Sequence, residues 1–314
     1  MASLRPSADD LLVFLEVAHS GRFTRAAERL GLNHVTISRR IATLERALGG
    51  KLLLRQPGGW ELTPLGERVL SAAERLDGVL RGLEAETRSD SGIEDVVRMS
   101  VPAAFSTYVA ARAAARVTGQ HPGVRVEIVS VVKRPAQHRS GVDIEVVVTR
   151  PPAGSAEVVR LGSYIHALYA SREYLLRHQV PAKIDDLVEH RLVYYISSML
   201  EVDDMHIERT RLPAMRESVT STNVFAHIDA TRAGAGIGLL ATFMAAGYDD
   251  LVRVLPDEVG VPLEYWLIVR PEALRRPAVA AVVAELQRGT RALERRVLQE
   301  HVAPAADRDI SIRM

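Results

Sequence analysis

The stretch Phe23–Ile41, FTRAAERLGLNHVTISRRI, constrains the fold more than any other part of the chain. It reads as a short helix, a glycine turn and a second helix. Thr24 is placed to N-cap the first helix, and Ala26, Ala27 and Leu30 give it a small, close-packing face. Gly31 falls where a left-handed C-cap is needed, and Asn33 is a good N-cap for the next helix. That helix carries Ile37, Ile41, Leu44 and Leu48 on one stripe. The opposite face presents Val35, Arg39, Ala42 and Arg46, with Ser38 at its edge. A valine in an exposed first turn is odd beside water. It fits a thymine methyl, with Arg39 reaching N7 and O6 of guanine in a major groove.

The plainer alternative is a helical hairpin packed against another part of the protein. Three features weigh against it. Between Arg22 and Arg55 the basic residues are Arg22, Arg25, Arg29, Arg39, Arg40, Arg46, Lys51 and Arg55, against only Glu28 and Glu45. The chain as a whole has a formal net charge of +1, so this basicity is local. Upstream, residues 8–19 form a helix whose Leu11, Phe14, Leu15 and Ala18 can close a three-helix core, with Ser7 and Asp10 as a capping box. Downstream, residues 51–55 and 60–63 read as two short strands around a turn at Gln56-Pro57-Gly58-Gly59.

Residues 1–66 resemble the winged helix-turn-helix of LysR-type transcriptional regulators. The resemblance rests on Phe23, Ala26, Ala27, Leu30, Asn33, Ser38, Arg39, Ile41, Leu44, Glu45, Leu48, Gly49, Leu52, Arg55, Leu62, Thr63 and Gly66. It implies a recognition helix in the major groove, a wing near the adjacent minor groove and a ligand-sensing domain behind. Base contacts fall to His34, Val35, Ser38 and Arg39, and the wider DNA-binding set adds Thr24, Thr36, Arg40 and Arg55. The family often has Gln at the position of His34 and Pro at that of Val35. These departures change which base pairs are read, while DNA binding is kept.

A linker helix follows. Thr63 and Pro64 start it with an N-cap and a proline at the first position. Leu65, Val69, Ala72, Leu76, Val79 and Leu83 alternate spacings of four and three, a heptad seam that predicts dimerisation over residues 63–88. A dimer presents two recognition helices to half-sites one helical turn, roughly 10 bp, or a multiple apart, so the target is an inverted repeat. The family often works as a tetramer. The polar run Glu86–Gly92 reads as a hinge.

From Asp95 onward strand and helix patterns alternate, which implies a three-layer α/β arrangement. Strands are expected at 96–101, 124–132, 144–149, near Leu168, and at 192–196, 237–240, 251–255 and 263–269. Helices are expected at 106–118, 184–189, 223–233 and 277–298. The resemblance sharpens this to two lobes of the periplasmic-binding-protein type II, with an effector-binding domain over 93–300. Lobe I takes 93–160 and 268–300, lobe II takes 161–267, and 301–314 is a loose tail. Two helix starts should face the cleft between lobes, one at Ala104–Thr107 and one at Ser221–Asn223. Helix N-termini favour anions. A small organic effector carrying a carboxylate is therefore expected on Ser106, Thr107, Thr149, Thr222 and Asn223, with Lys133 as countercharge. For each hydroxyl or amide, a simple N-cap is an equally good reading. Residues 133–142 are basic and nearly without apolar anchors where the family has a regular helix, so lobe I pairing between subunits and this side of the pocket stay open.

Composition narrows the function classes. The chain has 314 residues, 47% hydrophobic and 25% charged, as in two or three soluble globular domains. No apolar run can span a bilayer, and MASLRPSADD lacks a signal-peptide core. With no cysteine, disulfides, thiolate catalysis and zinc-thiolate sites are excluded, and a bacterial cytoplasm is the natural compartment. Aromatics at 5% argue against single-strand stacking. Gly234-Ala-Gly-Ile-Gly238 follows a helix and leads into a strand, the reverse of a dinucleotide loop. The ten histidines show no metal spacing and no GxSxG elbow exists, so no cofactor, metal or catalytic activity is expected. Tyr194-Tyr195 and Tyr265-Trp266 read as core or strand faces.

The expected partners are double-stranded promoter DNA, a small effector and a second copy of the chain, with no membrane. The rival reading is a ligand-independent DNA binder whose α/β lobes serve only assembly. An enzyme with an appended DNA-binding module lacks a catalytic constellation.

Overall fold

A computed structural model describes residues 5–56, 59–87, 93–130, 142–151, 156–196 and 212–302. The hinge from 88 to 92, the basic segment as far as 141 and the tail from 303 onward lie outside the described residues. The N-terminal unit contains α1 (Ala8–Ser20), α2 (Phe23–Leu30), α3 (His34–Leu48), β1 (Leu53–Gln56) and β2 (Gly59–Leu62), followed by α4 (Pro64–Thr87). Gly31 ends α2 with φ 63°, where a β-carbon would be strained. The Asn33 side chain accepts from Thr36 N at 2.7 Å and starts α3. Phe14, Val17, Phe23, Ala26, Ile37, Leu44 and Leu52 form the core, closed by Val69, Leu70 and Ala73 of α4. β1 and β2 pair antiparallel, Arg55 facing Trp60. Gly66 packs so closely that a β-carbon would lie 2.2 Å from the Leu52 carbonyl oxygen.

Several local expectations change. The N-cap of α2 is Arg22, and Thr24 lies exposed in the first turn. The helix begins earlier because Phe23, buried in the core, is drawn into it. Leu30 is exposed at the helix end, and Phe23 takes its place on the packing face. Ser7 N-caps α1 without a side-chain bond, so the capping box with Asp10 does not form. Asp10 instead lies 3.5 Å from Arg40. Glu45, one of the two local acids, is buried and anchors the turn into the wing. It accepts from Leu52 N at 3.0 Å and from Lys51 Nζ at 2.6 Å.

Thr63 caps α4 as expected, its Oγ1 accepting from Gly66 N at 2.9 Å. The seam on α4 is split. Leu65 and Val69 pack inside the winged-helix core, so this end of the stripe is consumed within the subunit. Ala72 and Leu76 are half-buried, while Val79 and Leu83 are 51% and 56% exposed. α4 also meets the second domain through an ion pair between Glu74 and Arg270, with His19 Nε2 3.8 Å from the same carboxylate. Burial pushes the Glu74 carboxyl up, but His19 and Arg270 outweigh it and hold it below the ordinary value.

Among the described residues the second domain is built on one nine-stranded sheet, ordered β4-β3-β5-β11-β6-β9-β7-β8 with β10 also on β6. The strands are β3 (Asp95–Val101), β4 (Val124–Ser130), β5 (Ile144–Val147), β6 (Glu157–Ser171), β7 (Arg191–Tyr195), β8 (Arg216–Ser221), β9 (Ile237–Ala241), β10 (Leu251–Val254) and β11 (Val261–Val269). β3 runs parallel to β4 and β5, and β7 runs parallel to β8 and β9. These are the sheets of the two lobes. β6 and β11 pair antiparallel and pass through both, with a register shift between Tyr265 and Trp266. Both strands are long, and the lobe boundaries expected at 160/161 and 267/268 lie within their residue ranges. The Leu168 strand is only the far end of β6. Gly162 and Ser163 in its middle break the apolar pattern for a packing reason. A β-carbon on Gly162 would lie 3.0 Å from Thr290, and Ser163 donates from both N and Oγ to Glu294, on the helix Pro277–Val302.

The first sensing-domain helix starts at Ala103, passes through a π turn at Ser106–Ala110 and continues as Ala111–Gln120. Arg276, just before the helix Pro277–Val302, is buried and ties lobe I together. It pairs with Asp143, donates to Asp95 at 2.7 and 2.9 Å and to the Val96 carbonyl at 2.9 Å.

Candidate nucleic-acid interface and effector cleft

The outward face of α3 comes from one continuous segment. Val35 is 75% exposed, and His34, Ser38 and Arg39 are exposed beside it. Thr36 is half-buried, its backbone N–H bound by the Asn33 cap. The His34 ring lies 5.6 Å from Phe23, and Phe23 lies 4.8 Å from Trp60. This run of rings fixes the wing against the start of the recognition helix, a role for Trp60 that the sequence reading missed. Arg55 is exposed on β1. Arg40 stands beside α1, its Nη1 3.5 Å from both Asp9 and Asp10. It follows Ile37 by three positions and so leans toward the buried flank of the helix. Arg29 is likewise drawn to Glu16, at 3.1 Å.

The second site is a cleft where the two lobes meet. Pro102–Ala104 and Glu145–Val148 line it from lobe I, and Tyr195, Val224, His227, Ile228, Leu239–Ala241 and Met244 from lobe II. Tyr164, His166 and Tyr265 reach it from the crossing strands. Tyr164 stacks on Tyr265 with centroids 4.4 Å apart, and Tyr195 meets His227 edge-on at 4.5 Å. His227 Nε2 lies 2.9 Å from the Ser221 carbonyl oxygen, which fixes the proton on that nitrogen in the neutral ring. Burial lowers its pKa, partly offset by the Ser221 carbonyl, and His166 nearby pushes the same way as burial. Complete burial pushes the Tyr265 phenol up.

None of the five described residues expected to hold the effector lines this cleft, and Lys133 lies outside the described residues. The cleft does meet both expected helix starts, but through other side chains. Because the first helix begins at Ala103, Ser106 sits in the π turn and Thr107 is exposed, its hydroxyl donating back to the Ala103 carbonyl at 3.3 Å. At the second start, Thr222 and Asn223 are exposed, and the Asn223 oxygen is taken up by Phe225 N at 3.0 Å. Thr149 lies next to Val148, and its buried Oγ1 has no hydrogen-bond partner among the described residues. The tyrosines read as strand-face residues are buried in strands, and Tyr195 and Tyr265 also face the cleft. The period-two pair Tyr164 and His166 was the available sequence signal for the cleft floor, hidden by the broken pattern of β6.

Among the described residues no three His, Asp or Glu side chains are placed to hold a metal ion, and no helix is long and apolar enough to cross a membrane.

A basic winged helix-turn-helix joined by a long helix to a two-lobed α/β domain with an interlobe cleft defines a DNA-binding regulator with a sensing domain. Residues 8–67 match the bacterial regulatory helix-turn-helix of the lysR family, and residues 90–291 match the LysR substrate binding domain. The chain belongs to the LysR family of transcription regulators, which are not enzymes. It is 29% identical over 289 residues to the HTH-type transcriptional regulator AbaB of Streptomyces antibioticus, covering 86% of this chain and 94% of that protein. It is 26% identical over 259 residues to the probable HTH-type transcriptional regulator LtrA of Klebsiella pneumoniae, covering 79% and 82%. Among solved structures, ArgP from Mycobacterium tuberculosis superposes with a TM-score of 0.70 at 20% identity, covering 90% of this chain and 96% of that one. A full-length OxyR variant from Pseudomonas aeruginosa gives 0.71 at 15% identity, covering 90% and 98%.

Proposed function

We propose that this LysR-type regulator holds promoter DNA as a homo-oligomer and that a small organic effector in the interlobe cleft changes that hold. The observation carrying the effector half is the cleft's construction. Its walls come from both lobes, so a molecule within it binds one arrangement of the lobes better than another, the condition for any shift. The recognition helix supplies His34, Val35, Ser38 and Arg39 to base edges, while Thr24, Thr36 and Arg55 border the backbone. The exposed end of the α4 seam, Val79 and Leu83, supplies dimer contacts. A regulator of promoters works where the DNA is, in the cytoplasm.

A physical connection joins the two halves. β11 carries Tyr265 into the cleft and ends just before Arg270, which pairs with Glu74 of α4. The effector's carboxylate, expected from the sequence, is left with the N–H groups of Ala103 and Ala104, because no lysine or arginine lines the cleft among the described residues.

The test is footprinting on a promoter fragment with fractionated small metabolites from the producing cells, on the wild type and on Ala103→Phe, which fills the cleft wall. One fraction should alter the wild-type footprint and leave that of the variant unchanged. A footprint that no fraction alters, or that responds equally in the variant, favours the ligand-independent reading.

A further inference from the structure

Resting on the base contact proposed for His34, we propose that Trp60 of the wing is a positioning residue for DNA reading. Through Phe23 it holds the direction of the His34 ring, so wing and recognition helix read one base pair together. His34 is the first residue of α3 and is exposed. An exposed side chain changes rotamer freely, and fixing it on a base costs binding free energy unless it is held beforehand. Here a ring stands beside it. The centroids of Phe23 and His34 are 5.6 Å apart, with the planes at 47°. Phe23 is buried in the winged-helix core and cannot swing aside. It also meets the half-buried Trp60, at 4.8 Å and 57°. Both separations lie where tilted aromatic rings attract each other.

Trp60 is itself held by its backbone. Its N–H donates to the Gly21 carbonyl oxygen at 3.1 Å, and across the hairpin it faces Arg55. Gly59 permits this approach: its φ is 141°, and a β-carbon on it would lie 2.8 Å from the same Gly21 oxygen. The wing therefore rests on the turn into α2, and α2 opens on Phe23. A displacement of β2 reaches His34 through two ring contacts. Arg39 lies five positions further along α3, about 7.5 Å of helix rise away. Neither ring contact involves it, so it serves as the internal control.

The experiment selects binding sites from randomised duplex DNA with the full chain and ranks the base preference at each position. His34→Ala and Arg39→Ala first mark the positions that each residue reads. Trp60→Leu should lower the preference about threefold or more at the His34 position and leave the Arg39 position intact. Trp60→Phe, which keeps a ring against Phe23, should show a smaller loss at the same place. Added to His34→Ala, Trp60→Leu should cost less than about twofold in affinity for the selected site, because the ring it positions is gone. If Trp60→Leu does not fold, Trp60→Phe decides by whether its loss is confined to the His34 position. An unchanged preference, a loss spread evenly over all positions, or full additivity with His34→Ala overturns the assignment, the second of these marking a purely structural role. If His34→Ala itself alters no position, the base contact fails and this inference with it, an outcome distinct from a failure of Trp60 alone.

Discussion

The recognition face of α3 and the interlobe cleft are opposite solutions to binding. The first lies on one continuous helix, stands in water and is surrounded by arginines. The second draws its walls from segments scattered between Pro102 and Tyr265 and is lined mainly by apolar and aromatic residues. Duplex DNA is a long polyanion that stays hydrated, so its reader must project charge outward at little desolvation cost. A small ligand is held by enclosure, and there every buried charge must be matched or it opposes folding.

Three substitutions or conditions probe this contrast, in order of decreasing effect. Arg276→Met leaves Asp95 and Asp143 without their buried cation. It should cost about 3–5 kcal/mol of sensing-domain stability in urea unfolding and leave the face of α3 unchanged. Arg39→Ala removes an exposed charge and should leave stability nearly unchanged. It should weaken specific DNA binding by about 1–3 kcal/mol and relax preference at one base pair, visible in a selected-site logo. An unchanged logo would move the base contact to another residue. The weakest probe is acid. His227 and His190 both have pKa values lowered by burial below the ordinary 6.5. In each case the unfolded state takes up the proton first. The stability is therefore full above about pH 6.5 and falls as pH drops toward the folded-state values. Thermal midpoints between pH 7.5 and 5.5 should show that slope, and His227→Gln should flatten it. A slope that His227→Gln leaves untouched would put the acid sensitivity elsewhere.

Much of the DNA-binding unit is legible in the sequence because its signals are local. The Gly31 turn, the Asn33 cap and the Ile37, Ile41, Leu44 stripe each depend on neighbours within a few positions. What the sequence leaves out in this unit are contacts with distant partners. Sequence alone turns Arg40 toward DNA, whereas α1 supplies Asp9 and Asp10 to hold it. Leu65 and Val69 fit a dimer seam by spacing, yet the winged-helix core takes them. In the sensing domain the alternation of strands and helices is enough for the α/β class. The first helix starts at Ala103, and neither Ser106 nor Thr107 is among the cleft-lining residues. Only the end of β6 is recognisable, because Gly162 and Ser163 answer to the helix packed on them.

The sequence by itself determined the recognition helix, its exposed valine and arginine, and the α/β class, because these depend on period, capping and local charge. Only the tertiary structure decided which arginines are drawn to internal acids, that two long strands carry both lobes, and that tyrosines, histidines and Glu145 line the cleft. Those side chains are brought together by strand pairing between segments far apart in the chain, and no local pattern records which of them will meet.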